Sequence, residues 1–150
     1  MNNWYLLFLS FSVGVMVVMQ GGLNARLGVI LDNSLLATSV ALIISSSFTV
    51  IAVLATMKQF PTVGQLRTVP AYMWVSGGML SFIAVGLFYY LIPRIGISTA
   101  VTFGLTGQIL FAAIAGHFGW FGMPLEPVSV RRVIGMVIML LGVVLTKLKI

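Results

Sequence analysis

The stretch SLLATSVALIISSSFTVIAVLATM, residues 34–57, runs without a single Asp, Glu, Lys or Arg. As an α-helix rising about 1.5 Å per residue it would be about 36 Å long, enough to cross the roughly 30 Å hydrocarbon core of a bilayer. There, every backbone polar group must pair within the segment, so an uncharged apolar run of this length predicts a transmembrane helix. Working outward, residues 4–25, 71–92 and 97–116 are equally free of charge. Residues 133–146 form a shorter run between Arg131-Arg132 and Lys147. That run reaches spanning length if Arg131, Arg132, Lys147 and Lys149 direct their charged heads outward along the helix.

Composition agrees. The chain has 150 residues, 60% of them hydrophobic and only 7% charged, where soluble domains carry about a quarter charged residues. The expected fold is therefore an all-α integral membrane protein with a single transmembrane domain over residues 1–150. Its five transmembrane helices are expected at about 4–30, 34–57, 71–92, 97–119 and 129–147. Trp and Tyr rings prefer the headgroup level, and all seven fall near run ends: Trp4, Tyr5, Tyr72, Trp74, Tyr89, Tyr90 and Trp120. Residues 58–70, with Pro61, Gly64 and Pro70, read as a connection, and Pro93-Arg94 as a tight turn between the third and fourth spans. Ser129 is placed to cap the fifth helix, with Glu126 near its positive end. No basic n-region or small-x-small cleavage site accompanies the first run, which predicts a retained helix.

The eight basic residues divide evenly. With five spans, Lys58, Arg67, Arg131 and Arg132 lie on one side, and Arg26, Arg94, Lys147 and Lys149 on the other. Orientation follows Lys/Arg bias in short loops, so an even split predicts insertion in both orientations; reassigning Arg26 alone would tip it. The net charge of +6 arises because Asp32 and Glu126 are the only acids. Dispersed bases suit headgroups and give no nucleic-acid footprint. The chain has no Cys, no zincin motif and no serine–base pair, so an enzyme is not expected, nor a metal or other cofactor.

The candidate functional groups are polar residues at membrane depth. Gln20 and Asn24, at i and i+4, share a face of the first helix and are expected to bind a polar substrate or to bond another helix. Gln108 lies mid-span on a stripe of small residues, Ala100, Gly104, Ala112 and Ala115, and is a further substrate candidate. Trp74, Gly78, Ser81, Val85 and Tyr89 share a face of the third span, where Trp74 and Tyr89 can stack on a substrate or anchor at the headgroups. Thr99, Thr102 and Thr106 suit back-bonding to carbonyls one turn earlier, and Ser45, Ser46 and Ser47 suit packing. His117 is either a proton relay or a simple hydrogen-bonding group. Gly135 and Gly142, two turns apart, form a flat seam expected at a dimer interface.

Two blocks, Gln20-Gly21-Gly22-Leu23-Asn24-Ala25-Arg26-Leu27-Gly28 and Gly107-Gln108 followed by His117-Phe118-Gly119, resemble the drug/metabolite transporter superfamily, in particular its short five-helix YdcZ-type branch. The stretch from Tyr89-Tyr90-Leu91-Ile92-Pro93-Arg94-Ile95-Gly96 to Gly135 and Gly142 fits the same pattern. Gly116 departs from it, standing where an acidic residue would precede His-Phe-Gly. The third to fifth spans also resemble the last three helices of small multidrug resistance transporters, which work as antiparallel dimers around an intramembrane glutamate. The nearest position here is Gln20, whose amide does not titrate.

The resemblance implies a multi-pass protein of the bacterial inner membrane. The expected function is secondary-active transport of small polar or amphipathic solutes by alternating access, as an antiparallel homodimer in the lipid bilayer. The alternative is a non-transporting membrane subunit, or half of a heteromeric transporter with a paralogous partner.

Overall fold

The computed structural model describes residues 4–145, which are helical along most of their length. In chain order the helices are α1 (Trp4–Ile30), α2 (Ser34–Thr56), α3 (Val63–Thr68), α4 (Ala71–Ile95), α5 (Ile97–His117) and α6 (Val130–Leu145). A 3₁₀ turn, Trp120–Gly122, follows α5. Four of them, α1, α2, α4 and α5, are long and apolar enough to cross a membrane. The 16 residues of α6 give a described length of about 24 Å. Lys147, Lys149 and the expected end of the last helix at 147 lie outside the described residues.

The chain divides into two compact units, Met1–Ile97 and Ser98–Ile150. In the first, α1 and α2 are joined by a tight reversal. The Asn33 N–H donates to Gly28 O at 2.9 Å and the Asp32 N–H to Val29 O at 3.2 Å, the paired bonds of a Schellman termination. Asp32 takes the left-handed position, φ +49°. Asn33 then caps α2, its Oδ1 accepting from the Leu36 N–H at 3.0 Å.

Small residues let α1, α2 and α4 approach closely at this end. The buried positions are Gly21, Ala25 and Gly28 of α1, Ala37 and Thr38 of α2, and Gly86, Tyr89 and Ile92 of α4. A Cβ on Gly28 would lie 3.2 Å from Ser34 Cα, so the start of α2 rests against bare α1 backbone. Thr38, completely buried, satisfies its hydroxyl within its own helix by donating to Ser34 O at 2.8 Å. Toward the opposite end packing ceases: Phe11, Met16, Ile43, Phe48, Trp74 and Met79 are all exposed.

Two local features depart from expectation. Residues 58–70 contain the helical turn α3, closed by a reciprocal cap in which Thr62 Oγ1 accepts from the Gln65 N–H and Gln65 Oε1 from the Thr62 N–H. The T-x-x-Q pattern was its sequence mark. Nor is Pro93-Arg94 the turn. Helix α4 runs three residues past 92, because Pro93 forfeits only its own N–H bond in the last turn. The break comes at Gly96, φ +83° and ψ 148°, a conformation open only to glycine.

In the second unit, α5 stops at His117 rather than 119. Gly119, at φ +62°, turns the chain out of the helix. Phe118 stacks on Trp120 at 6.1 Å, and Phe111 meets Trp120 edge-on at 6.0 Å. Ser129 caps α6 as expected, its Oγ accepting from the Arg132 N–H at 3.3 Å.

Candidate functional site

The first unit brings two expected site residues into contact. Asn24 Nδ2 donates to Tyr89 Oη at 2.9 Å, joining α1 to α4. Tyr89 is only 2% exposed, so its ring is covered by protein. The contact exists because Gly21 and Ala25, one turn apart, leave room on α1 for α4; the Phe88 ring fills the space a Cβ on Gly21 would need. Having accepted from Asn24, the Tyr89 hydroxyl keeps its own hydrogen to donate.

Tyr89 also lines a half-open cavity of about 870 Å³ between the α1–α2 reversal and the C-terminal half of α4. Gly28 and Gly86, lacking side chains, widen it, and Phe82, Ile83 and Leu87 supply an apolar wall. Its polar end holds Asp32, Asn33 and Arg94. The Arg94 guanidinium lies 3.5 Å above the Tyr90 ring and donates one N–H to Tyr90 O at 2.7 Å. Neither Asp32 nor Arg94 was among the expected site residues. They are 62 positions apart, and only the packing of α1, α2 and α4 reveals that they share a wall.

Other candidates are placed apart from this pair. Trp74 lines a shallow cleft with Met57, Phe60 and Gln65 beneath α3. Fifteen residues separate it from Tyr89, about 22 Å along the α4 axis, so the shared face does not bring the two rings to one site. Gln20 is exposed one turn before Asn24, and Gln108 is exposed near the middle of α5. Neither carboxamide has a hydrogen-bond partner among the described residues. Thr102 and Thr106 back-bond to Ser98 O and Thr102 O at 2.7 and 2.8 Å, and Ser47 to Ile43 O at 2.9 Å.

The second unit holds His117 in a loop lock. Its Nδ1 accepts from the Val128 N–H at 3.1 Å, while the Glu126 N–H donates to Gly116 O at 2.8 Å. Arg132 closes the loop by donating to the Glu126 carboxylate and to Glu126 O. Accepting through Nδ1 requires that nitrogen to be unprotonated, which leaves Nε2 as the ring's N–H. On α6, a Cβ at either Gly135 or Gly142 would meet nothing within 4 Å among the described residues. Among the described residues there is no cluster of three His, Cys, Asp or Glu that could hold a metal ion.

Compared with known proteins, residues 5–145 match a family model described as "Putative inner membrane exporter, YdcZ". No curated protein and no solved structure gives a significant match.

Proposed function

Because the chain belongs to the YdcZ family of the drug/metabolite transporter group, multi-pass inner-membrane proteins with a transporter role, we propose that it is a secondary-active carrier of small polar or amphipathic solutes. It works by alternating access as an antiparallel homodimer. The observation that carries this reading is the pair of unpartnered amides. Gln20 and Gln108 are exposed near the middle of apolar helices, and an amide facing hydrocarbon costs about 2 kcal/mol or more. Each therefore faces a second copy or a water-filled path. Asn24, one turn from Gln20, adds its Oδ1 as an acceptor, and Tyr89 adds its hydroxyl hydrogen as a donor. Trp74 contacts the solute at the opposite end of α4, and His117 relays a proton by releasing the Val128 N–H, taking the proton up at Nδ1 and giving one up from Nε2.

In this reading α6 is the fifth span, and its open Gly135/Gly142 seam receives the same helix of the partner. Two copies in opposite orientations give a pair of five-span repeats related by an axis in the membrane plane, the symmetry used by many alternating-access carriers. The even division of Lys and Arg supports it.

Reconstituted into proteoliposomes, the parent should move a solute from a polar and amphipathic panel. Gln20→Ala and Gln108→Ala should each lower flux severalfold. Parent-like flux in both variants would remove the proposed path. Flux that appears only with a co-expressed paralogue would make the chain half of a heteromeric transporter. Single-cysteine variants, introduced into a chain without native Cys, should label each terminus from both sides; labelling from one side only would end the antiparallel arrangement.

A further inference from the structure

Two charges on the wall of the 870 Å³ cavity take no part in that reading. Among the described residues the one ion pair is Arg132–Glu126. Asp32 and Arg94 therefore line the same cavity without pairing, and the Asp32 carboxylate has no hydrogen-bond partner there. Arg94 commits one N–H to Tyr90 O and retains further donors.

The turn itself does not require the carboxylate. Its left-handed position suits Gly or Asn at least as well, so Asp32 adds a fixed negative charge that the backbone has no use for. Below the two charges the cavity wall is apolar. From Arg94 to Phe82 it follows α4 for about 18 Å, past Leu87 and Ile83. A carboxylate, a guanidinium and an apolar wall thus line one cavity, with both charges at helix ends.

We propose that this cavity binds an amphipathic zwitterion, its ammonium against Asp32, its anionic oxygen against Arg94 and its apolar chain along Leu87, Ile83 and Phe82. The same chemistry is carried by a zwitterionic phospholipid headgroup and by a soluble amphipathic zwitterion. Binding here is independent of whether the chain transports anything.

The test is binding of lysophosphatidylethanolamine to the full-length protein in neutral maltoside micelles, read by native mass spectrometry. Dodecylamine and dodecyl phosphate serve as probes carrying one charge each. Asp32→Asn, and Asp32→Gly as a second variant compatible with the turn, should weaken the zwitterion and dodecylamine about tenfold, roughly one charge-assisted hydrogen bond, and leave dodecyl phosphate unchanged. Arg94→Gln should do the converse. Displacement by phosphoethanolamine would identify a soluble zwitterion as the ligand. Displacement only by chain-bearing compounds would identify a lipid. Parent-like zwitterion binding in folded variants at both positions would overturn the proposal. So would parent protein that holds lysophosphatidylglycerol, which has no ammonium, as tightly.

Discussion

Replacing Tyr89 with Phe removes one oxygen and changes nothing else in the shape of the α1–α4 contact. The oxygen accepts the 2.9 Å bond from Asn24 Nδ2, in a side chain only 2% exposed, so the bond is largely shielded from solvent. Interhelical hydrogen bonds in membranes contribute about 0.6 kcal/mol on average and about 1.7 at most, because the separated helices find other partners. Tyr89→Phe should therefore destabilise the first unit by about 1 kcal/mol, and Asn24→Ala by the same bond plus its lost packing. A double-mutant cycle isolates the bond, with unfolding driven by dodecyl sulfate in mixed micelles and followed by tryptophan fluorescence. The expected coupling is about 0.6–1.7 kcal/mol, a factor of roughly 3 to 20 in the equilibrium. Additivity within about 0.3 kcal/mol would refute the reasoning and leave α1 and α4 joined by small-residue packing alone.

Gly28→Ala should cost about 1–3 kcal/mol in the same unfolding assay, because the new methyl meets the Ser34 backbone rather than a side chain that can turn aside. Gly96→Ala, forced into φ +83°, should cost about 1–3 kcal/mol; an unchanged midpoint would mean the break after α4 has another cause. His117→Ala removes the acceptor for the Val128 N–H, and amide exchange there should quicken about fivefold, the worth of about 1 kcal/mol. At Gly142 an added Cβ meets nothing within 4 Å among the described residues, so in Gly142→Leu helicity should hold while the dimer fraction in light scattering falls; an unchanged mass would remove Gly142 from the interface.

Helix positions were legible because apolar length and charge are local properties. Residues 34–57 needed no neighbour to be read, and α2 ends within one residue of that range. Terminations were less legible, since they depend on single hydrogen bonds. Proline was read as the stop at position 93, whereas it removes one bond and Gly96 ends α4. The turn α3 was hidden because its six residues carry no apolar period and announce themselves only through Thr62 and Gln65. For the site, Asn24 was recognisable as a polar group at membrane depth, and Tyr89 as a ring that stacks on a substrate or anchors at the headgroups. Their partnership was not, because it depends on which face of α1 has the gaps that receive α4. Asp32 and Arg94 look like ordinary loop and helix-end charges until α1, α2 and α4 are packed together.

That α1, α2 and α4 are fastened only around Gly21, Ala37 and Gly86 has a mechanical corollary. A rod clamped at one end is a lever. From Gly21 to Trp4 the free arm of α1 is about 26 Å long, so a tilt of about 10° about the clamp sweeps its tip through about 4–5 Å. Small rotations near the Asn24–Tyr89 bond therefore become displacements the width of a side chain at the far membrane face, with no helix broken and no buried core repacked.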